Sequence, residues 1–329
     1  MKPVGIIANP ASGKDIRRLV AYGSVFDNNE KVNIVRRVIL GLDSLGVRTV
    51  FFMPDFYGIG VRAMDGLDVS LDVCFLQMEP EGTQDDSTRA ARLMNELGVA
   101  CIITLGGDGT NRAVAKTCRN TPLLPISTGT NNVFPAVVEG TLAGIAAGVT
   151  ALNSASDAEF IKRVPRLEIR RSTQLVDMAL VDVVVSEPGF IASRALWDVS
   201  KLREIFLARA EPENIGFSSI GGLLCGLNPD SGKGVHIIIG EGNCRVKAPI
   251  APGLIRTVPI KEFRIFEPGE EIPISQTPAM IAVDGERELV VKQGDRLSVA
   301  LNLEGPRVVD IALALRQASD KGLFFEPQS

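Results

Sequence analysis

The chain has 329 residues, of which 45% are hydrophobic and 22% are charged, a composition typical of a globular protein with two domains. Its 35 lysine and arginine residues against 39 aspartate and glutamate residues give a net charge of −4, which argues against an overall basic surface for DNA, RNA or anionic lipid. Aromatic residues make up 5% of the chain, too few to favour a stacking surface for single-stranded nucleic acid. The sequence therefore points away from nucleic-acid and membrane partners.

The N-terminal sequence and the cysteines indicate a protein that stays inside the cell. The first apolar run, Val4–Ala8, is too short for the apolar core of a signal peptide. No stretch approaches the ~20 apolar residues that a membrane span requires. The five cysteines show no CxxC pair and no zinc-like spacing, and their odd number favours a reducing compartment. We therefore expect a cytoplasmic protein in which His236, the single histidine, is structural.

The chain up to Leu152 alternates between strand-like and helical patterns. Short apolar runs predict β-strands at Val4–Ala8, Val47–Met53, Val69–Leu76, Val99–Leu105 and Leu123–Ile126. Apolar residues at three- and four-residue steps predict helices over Asn29–Leu45 and Gln84–Leu97. Continuous apolar strands that alternate with helices predict a parallel sheet covered on both faces.

The pattern changes after Leu152, where the small polar segment Asn153–Asp157 is a candidate hinge. Strand-like runs separated by proline and glycine then predict a β-rich, antiparallel second domain. These runs are Arg166–Arg170, Leu175–Val185, Val235–Ile239, Arg245–Pro249, Ile255–Phe266, Ala279–Val283, Arg287–Val291 and Arg296–Leu303. One helix is predicted among them at Ala192–Ala210, and another follows them at Val308–Ala318. We expect a first domain at residues 1–155, a second at 156–305, and a C-terminal helix within 306–322 that packs back on the first.

The sharpest motif is the glycine-rich run Gly106–Thr110, which reads GGDGT, follows a predicted strand and precedes a predicted helix at Arg112–Arg119. Glycines let the backbone turn tightly and approach a ligand, and the amides at the start of a helix form an anion site. A carboxylate is not a simple phosphate ligand. Asp108 therefore holds Mg²⁺, accepts a proton from a hydroxyl group, or caps the helix, and the local sequence leaves these roles open.

A second loop follows the first predicted strand and runs from Asn9 through Ser12 and Gly13 to Lys14. Its short polar side chains and its amides supply hydrogen-bond donors, and Lys14 adds a positive charge for phosphate. The loop is not a Walker A sequence, because that pattern requires Ser or Thr after the lysine and Asp15 stands there. On its own, this loop is a weak signal.

A third loop, Ser127–Pro135, follows the predicted strand at Leu123–Ile126 and carries small residues with hydroxyl and amide groups that suit a nucleotide. In an open parallel sheet, the carboxyl ends of the strands share one edge, where ligands bind. We therefore expect Asn9, Asp108 and Thr130 to converge on one crevice.

The run Asp284-Gly285-Glu286 lies between two predicted strands. An Asp-Gly pair in this position is typical of a hairpin turn. The alternative is a pair of carboxylates beside a phosphoryl-transfer site, and the local sequence alone favours the turn.

Taken together, these motifs resemble those of the superfamily of NAD kinases and diacylglycerol or sphingosine kinases. The shared marks are NPxSG after the first strand, the GGDGT run, and the Gly-Thr-Asn sequence at Gly129–Asn131. Within the superfamily, the whole sequence is most similar to the acetoin catabolism protein X group, which is classed as ATP-NAD kinase-like. The resemblance implies an N-terminal α/β domain similar to phosphofructokinase, a C-terminal β-sandwich, and an ATP site in the cleft.

The resemblance also implies roles for individual residues. Asp108, Glu286 and Asp284 become candidate catalytic carboxylates, with Glu286 at the place of a proposed general base in the lipid kinases. The candidate nucleotide-binding residues are Asn9, Ser12, Gly13, Lys14, Gly106, Gly107, Gly109, Thr110, Gly129, Thr130 and Asn131. ATP and Mg²⁺ are the implied cofactors and NAD is the implied acceptor. A dimer or tetramer built through the second domain is the implied assembly.

One departure leaves the acceptor open. NAD kinases carry an Asn-Glu pair, on a strand of the second domain, that holds the adenosine part of NAD. The comparable stretch here, Ala179–Val184, has no such pair, although Asp182 is a partial substitute. Transfer to NAD, with a link to acetoin catabolism, therefore stands beside two alternatives. These are transfer to another polyol or lipid acceptor, and a nucleotide sensor that has lost turnover.

Overall fold

The computed structural model describes residues 1–13, 22–23, 26–153, 158–188, 199–285 and 287–325. Strands and helices alternate in the first part of this chain, as the hydrophobic pattern predicts. They are β1 (Val4–Ala8), α1 (Asn28–Asp43), β2 (Thr49–Phe52), α2 (Ile59–Met64), β3 (Asp72–Phe75), α3 (Gln84–Glu96), β4 (Ile102–Gly106), α4 (Asp108–Ala115), β5 (Leu123–Ser127) and α5 (Gly140–Leu152).

The first five strands are parallel and lie in the order β3-β2-β1-β4-β5. Strands β1, β4 and β5 are buried along their whole length, because helices cover both faces of the sheet. The strand order reverses between β1 and β4, which is where an open parallel sheet forms a ligand crevice at the carboxyl ends of its strands. The fold therefore places the loops that follow β1 and β4 side by side.

The later elements are mainly strands. They are β6 (Ile161–Arg163), β7 (Arg166–Arg171), β8 (Gln174–Ala179), β9 (Asp182–Ser186), β10 (Leu202–Leu207), α6 (Ser218–Cys225), β11 (Gly234–Ala251), β12 (Leu254–Phe266), β13 (Ile272–Pro273), β14 (Ala279–Val283), β15 (Arg287–Val291), β16 (Leu297–Asn302), β17 (Arg307–Val309) and α7 (Ile311–Asp320).

Two antiparallel sheets form the second domain of the described chain, one in the order β12-β11-β10-β9-β14-β15 and the other β13-β16-β7-β8. They share one apolar core, to which Ile169 and Val299 contribute from the smaller sheet and Val183 and Ile281 from the larger. The fold is therefore a parallel-sheet α/β domain joined to an antiparallel β domain of two packed sheets, as the sequence predicts.

The end of the chain returns to the first sheet. Strand β17 lies parallel to β5, and β6 pairs with β17 in the antiparallel direction. Helix α7 contacts α5, and its Ala314 and Ala318 belong to the core of the first domain. The predicted C-terminal helix begins later than expected, at Ile311, because residues 307–309 form β17 and Asp310 caps the helix with a hydrogen bond to the N–H of Leu313.

The predicted helix at Ala192–Ala210 is wrong: the structure has only a single 3₁₀ turn at Val199–Lys201 in the described part of this range, followed by a strand. Residues 192–198 lie outside the described chain, and Leu202–Leu207 is strand β10, buried between β9 and β11. Leu202, Ile205 and Phe206 have the three- and four-residue spacing of a helix, but pairing with two neighbouring strands overrides this local pattern.

Three other predictions need a boundary correction. The run Leu175–Val185 contains two strands, β8 and β9, which belong to different sheets. Conversely, Val235–Ile239 and Arg245–Pro249 are parts of the single long strand β11, which keeps its pairing with β12 through register shifts.

No helix in the described part of the chain is long and apolar enough to cross a membrane.

Candidate active site

The loops after β1 and β4 are joined directly by side chains. Asn9 Nδ2 donates a hydrogen bond of 2.8 Å to Thr110 Oγ1, and Asn9 Oδ1 accepts one of 2.9 Å from the N–H of Ala11. Thr110 is buried in the first turn of α4. Residues 101 positions apart therefore fix the two loops at the point where the strand order reverses.

The loop after β1 is also tied to the loop after β5. Ser12 Oγ donates to the carbonyl of Asn9 at 2.8 Å and lies 2.9 Å from Thr128 Oγ1. Gly13 has φ of +73°, and a Cβ there would lie 2.7 Å from the carbonyl oxygen of Thr128, so only glycine fits. The candidate residue Lys14 lies outside the described residues.

A buried lysine that the sequence analysis missed supports this first loop. Lys31 Nζ donates to the carbonyls of Asn9 and Ser12 at 2.8 and 2.7 Å, and to Asn28 Oδ1 at 3.0 Å. Its side chain is fully buried on α1. The sequence signal was its position inside an amphipathic helix, on the face that carries apolar residues.

The glycine-rich run forms the end of β4 and the start of α4, so this helix begins at Asp108 rather than at the predicted Arg112. A Cβ on Gly106 would overlap the side chain of Thr110, and one on Gly107 would lie 2.8 Å from Asn132 Oδ1. Gly109 is buried in the first turn of α4. Steric contacts with Thr110 and Asn132 therefore explain why glycine stands at positions 106 and 107.

Asp108 holds the loop after β5. Its carboxylate accepts hydrogen bonds from the N–H of Val133 at 3.0 and 3.2 Å and from the N–H of Phe134 at 2.8 Å. The side chain is therefore an anchor for that loop, whatever else it does. Together with the contacts of Asn9 and Ser12, the hydrogen bonds of Asp108 join the three candidate loops into one assembly.

The Gly129–Asn131 segment lies at the edge of this assembly. Gly129 packs against Asn132, whose Nδ2 would lie 3.2 Å from a Cβ at Gly129. Thr130 is exposed. Asn131 Oδ1 is buried and accepts no hydrogen bond within the described chain.

Asp284 occupies the turn between β14 and β15, with φ of +49°. Its buried carboxylate accepts from the N–H groups of Leu180, Val181 and Asp182 at 2.8–3.2 Å. Burial raises the pKa of Asp284, against the lowering effect of Arg112 and of these amides. The carboxylate thereby holds the connection between β8 and β9. Glu286 lies outside the described residues.

A buried arginine on α4 connects the glycine-rich run to the second domain. Arg112 Nη1 lies 3.3 Å from Asp177 Oδ2, and its Nε lies 3.6 Å from Asp284 Oδ2. Lys116 Nζ lies 2.6 Å from Asp177 Oδ1. Burial opposes ionisation of Asp177, but Lys116, the N–H of Met178 and Arg112 outweigh it and lower its pKa. The sequence alone does not indicate this network, because its partners are far apart in the chain.

A second arginine, Arg209, follows β10 and lies beside the loop after β5. Its guanidinium carbon is 5.0 Å from the centre of the Phe134 ring, and its Nη1 is 4.0 Å from Glu211 Oε1. Its Nε is buried and donates no hydrogen bond to the described residues. Burial lowers the pKa of Arg209, while Glu211, Asp108 and Asp284 act in the opposite direction.

The polar groups around the three loops suit a ligand with both donors and acceptors. Asn131 supplies a buried acceptor and Arg209 a buried donor, each without a partner in the described chain. The described residues contain no group of three or more metal-ligating His, Cys, Asp or Glu side chains. Mg²⁺ is commonly held by one or two carboxylates together with substrate phosphates, and Asp108 supplies one carboxylate at this place.

Two family models together match most of the chain. Residues 4–151 match the ATP-NAD kinase N-terminal domain, and residues 165–304 match the acetoin catabolism protein X C-terminal domain. The first domain thus defines the protein as one with an NAD kinase-like fold.

The whole chain also has a curated relative. Over 334 aligned residues it is 40% identical to acetoin catabolism protein X of Cupriavidus necator, covering 96% of this chain and 92% of that protein. The chain therefore belongs to the acetoin catabolism protein X family.

Two solved structures that the chain matches come from Bacillus anthracis strain Sterne. One, described as a diacylglycerol kinase, is 14% identical with a TM-score of 0.43, covering 94% of this chain and 96% of that chain. Another, provisionally described as a diacylglycerol kinase, is 16% identical with a TM-score of 0.46. The match again covers 94% of this chain and 96% of that chain.

Proposed function

We propose that this protein transfers a phosphoryl group from ATP to a hydroxyl group of a small acceptor, and that NAD is the first acceptor to test. The observation that carries the proposal is the joining of three loops at the switch point of an NAD kinase-like domain, through Asn9, Ser12 and Asp108. These hydrogen bonds hold the three loops in fixed positions relative to one another. Phosphoryl transfer depends mainly on such positioning and on neutralisation of charge.

In this proposal the first turn of α4 and the loop after β1 bind the phosphates of ATP. The backbone amides at the start of α4 face that edge of the sheet, and the helix dipole favours negative charge there. Lys31 keeps the carbonyls of Asn9 and Ser12 turned toward its ammonium group. Two acceptors that would repel phosphate are thus held by a cation.

Asp108 has two duties in the proposed reaction. It anchors the N–H groups of Val133 and Phe134, and it orients the acceptor hydroxyl and takes its proton. The acceptor oxygen forms a bond to the terminal phosphorus, the bond from that phosphorus to the bridging oxygen breaks, and ADP leaves with the electron pair. Mg²⁺, when bound, neutralises charge on the phosphates. Glu286, from the sequence resemblance, is the second candidate for the proton.

A different acceptor is favoured by one observation. The stretch Ala179–Val184 lacks the Asn-Glu pair of NAD kinases, and the N–H of Asp182 is bonded to Asp284. This arrangement leaves a small polyol or a lipid as the alternative acceptor. The name of the curated relative adds a metabolic setting, acetoin catabolism, in which such an acceptor would be sought.

A nucleotide sensor without turnover is favoured by another observation. Both described candidate carboxylates, Asp108 and Asp284, are engaged with backbone N–H groups, which is a structural use of their charge. A protein that only bound nucleotide would need the same bonds.

A cytoplasmic location and a homodimer or homotetramer remain predictions.

The deciding measurement is ³¹P NMR of the purified protein with Mg²⁺-ATP and NAD. A new 2′-phosphate resonance together with ADP would establish transfer to NAD. Consumption of ATP only when a polyol or a lipid replaces NAD would establish the alternative acceptor. ATP left unchanged with every acceptor, while nucleotide still binds, would contradict the kinase proposal and support the sensor.

A further inference from the structure

We infer that Arg209 binds phosphate oxygens of a ligand held at the three joined loops, and so brings a positive charge from the second domain to the site in the first. The inference rests on the proposed function for the identity of the ligand. It assigns a binding residue that none of the sequence motifs contains. The group that Arg209 binds is a phosphate, and it belongs either to the donor, as the terminal phosphate, or to the acceptor.

The position of Arg209 is set by the loop that Asp108 anchors. Its guanidinium carbon lies 5.0 Å from the centre of the Phe134 ring, and the N–H of Phe134 is bonded to Asp108. The carbonyl of Arg209 accepts from Ser218 Oγ, which fixes the backbone against α6. The side chain thus extends from a fixed point in the second domain to the loop that Asp108 anchors.

Arg209 makes no close ion pair with the described residues, although Glu211, Asp108 and Asp284 lie near enough to favour its charged form. Its ion pair with Glu211 spans 4.0 Å, the limit for such a contact, and Glu211 Oε2 also accepts from Asn214 Nδ2 at 2.6 Å. The Nε of Arg209 has no acceptor in the described chain. A largely buried guanidinium in this state gains free energy from an added anion, because its own desolvation has already occurred.

The contrast with Arg112 supports a ligand role. Arg112 is fully buried, 1% exposed, between two carboxylates and is a structural cation. The Arg209 side chain is 21% exposed, which leaves one side open to solvent and to a ligand. An arginine that stacks on a ring keeps its edge available for two parallel hydrogen bonds to a phosphate, which lysine does not provide.

The test measures binding rather than turnover, so that it does not depend on the acceptor. Three probes are used: Mg²⁺-ADP, the Mg²⁺ complex of a non-hydrolysable ATP analogue, and NAD. Calorimetry measures the dissociation constant of each probe for the wild type, Arg209→Gln and Arg209→Lys. The control is Arg245→Gln, which changes an exposed arginine on β11. Thermal unfolding of each variant shows whether the fold is kept.

We expect Arg209→Gln to weaken the binding of one probe about tenfold or more, which corresponds to about 1.4 kcal/mol, while the affinity for the others changes less than about threefold. Selective loss of the ATP analogue identifies the terminal phosphate of the donor, and selective loss of NAD identifies a phosphate of the acceptor. Arg209→Lys, which keeps the charge and fills most of the volume, should fall between wild type and Arg209→Gln. It also serves as the test if the glutamine variant does not fold.

Three results would overturn the inference. One is unchanged affinity of Arg209→Gln for every probe, another is an equal loss for all probes together with lower thermal stability, and the third is a wild type that binds none of them. The proposed function is judged separately by turnover. A wild type that transfers phosphate with an unimpaired Arg209→Gln variant rejects only the inference, and selective loss of binding without any turnover rejects only the proposed function.

Discussion

Asn9 and Thr110 are joined by a hydrogen bond of 2.8 Å between the side chains of two loops that lie 101 residues apart. The bond is made at the place where the strand order of the first sheet reverses. It explains why an asparagine in the first loop and a threonine at the end of the glycine-rich run belong to one site. Each side chain is the other's partner, and a ligand bound between the loops would depend on both.

Replacing Asn9 by alanine should therefore loosen both loops. The variant loses the bonds to Thr110 and to the N–H of Ala11, which costs about 1–2 kcal/mol of stability. We expect a higher dissociation constant for Mg²⁺-ATP, measured by calorimetry, with Asn33→Ala on the exposed side of α1 as the control. Equal nucleotide affinity in Asn9→Ala and wild type would mean that the junction of the loops does not contribute to the site.

Asp108→Asn separates the two proposed duties of that carboxylate. An amide still has one oxygen for the N–H groups of Val133 and Phe134, but it takes no proton. We expect turnover to fall about 100-fold or more with a smaller change in nucleotide affinity. Asp85→Asn, at the exposed start of α3, is the matched control. Turnover at the wild-type rate would leave Asp108 with the anchoring duty alone.

Arg112→Met tests the charge network that joins the two domains. The substitution leaves Asp284 buried without its nearest cation, and breaking such a pair costs about 3–5 kcal/mol. Urea unfolding should show this loss, whereas Arg92→Met on the exposed face of α3 should change little. Adding Asp284→Asn to Arg112→Met should recover part of the loss. A loss below about 1 kcal/mol would show that the network is not a major source of stability.

The stability of the second domain should fall in acid because of Glu168. Burial opposes its charge, but hydrogen bonds from Arg170, Arg166 and Asn302 outweigh this effect and lower its pKa below the ordinary value of 4.5. A carboxyl group with a lowered folded-state pKa contributes stability that is present above the unfolded-state pKa and lost as pH falls through the folded-state value.

Glu168→Gln should therefore be less stable than wild type at pH 7, and the difference should shrink below about pH 4.5. Urea unfolding at a series of pH values measures this change. Glu262→Gln, on the exposed part of β12, should show no such convergence. A difference that stays constant down to pH 3 would contradict the assignment of the effect to the charge of Glu168.

The buried thiols should resist alkylation in the folded protein. Burial raises the pKa of Cys101 and of Cys118 to about 12, so almost no thiolate exists at pH 8. Cys74 and Cys244 are exposed and provide the internal comparison. Iodoacetamide labelling followed by peptide mass spectrometry should modify those two first and reach Cys101 and Cys118 only after denaturation. Early labelling of Cys101 would contradict the packing of β4.

Tertiary structure, rather than local sequence, assigned the carboxylates their partners. The Asp-Gly turn at Asp284 was predicted correctly, but its aspartate also binds three N–H groups more than 100 residues earlier in the chain. Arg112 and Arg209 were missed for the same reason, since each gains its importance from residues of another element. A pattern within a few residues carries no information about such contacts.

The sequence by itself determined the alternation of strands and helices up to Leu152, because buried parallel strands and amphipathic helices have different apolar periods. It also determined where the three loops lie, because glycine and short polar residues that follow an apolar run are typical of turns and loops. Only the tertiary structure decided that LREIFL is a strand, which cation neutralises which carboxylate, and how the second domain meets the glycine-rich run. These outcomes depend on burial and pairing between distant segments, whose free energies exceed the local preferences of the chain.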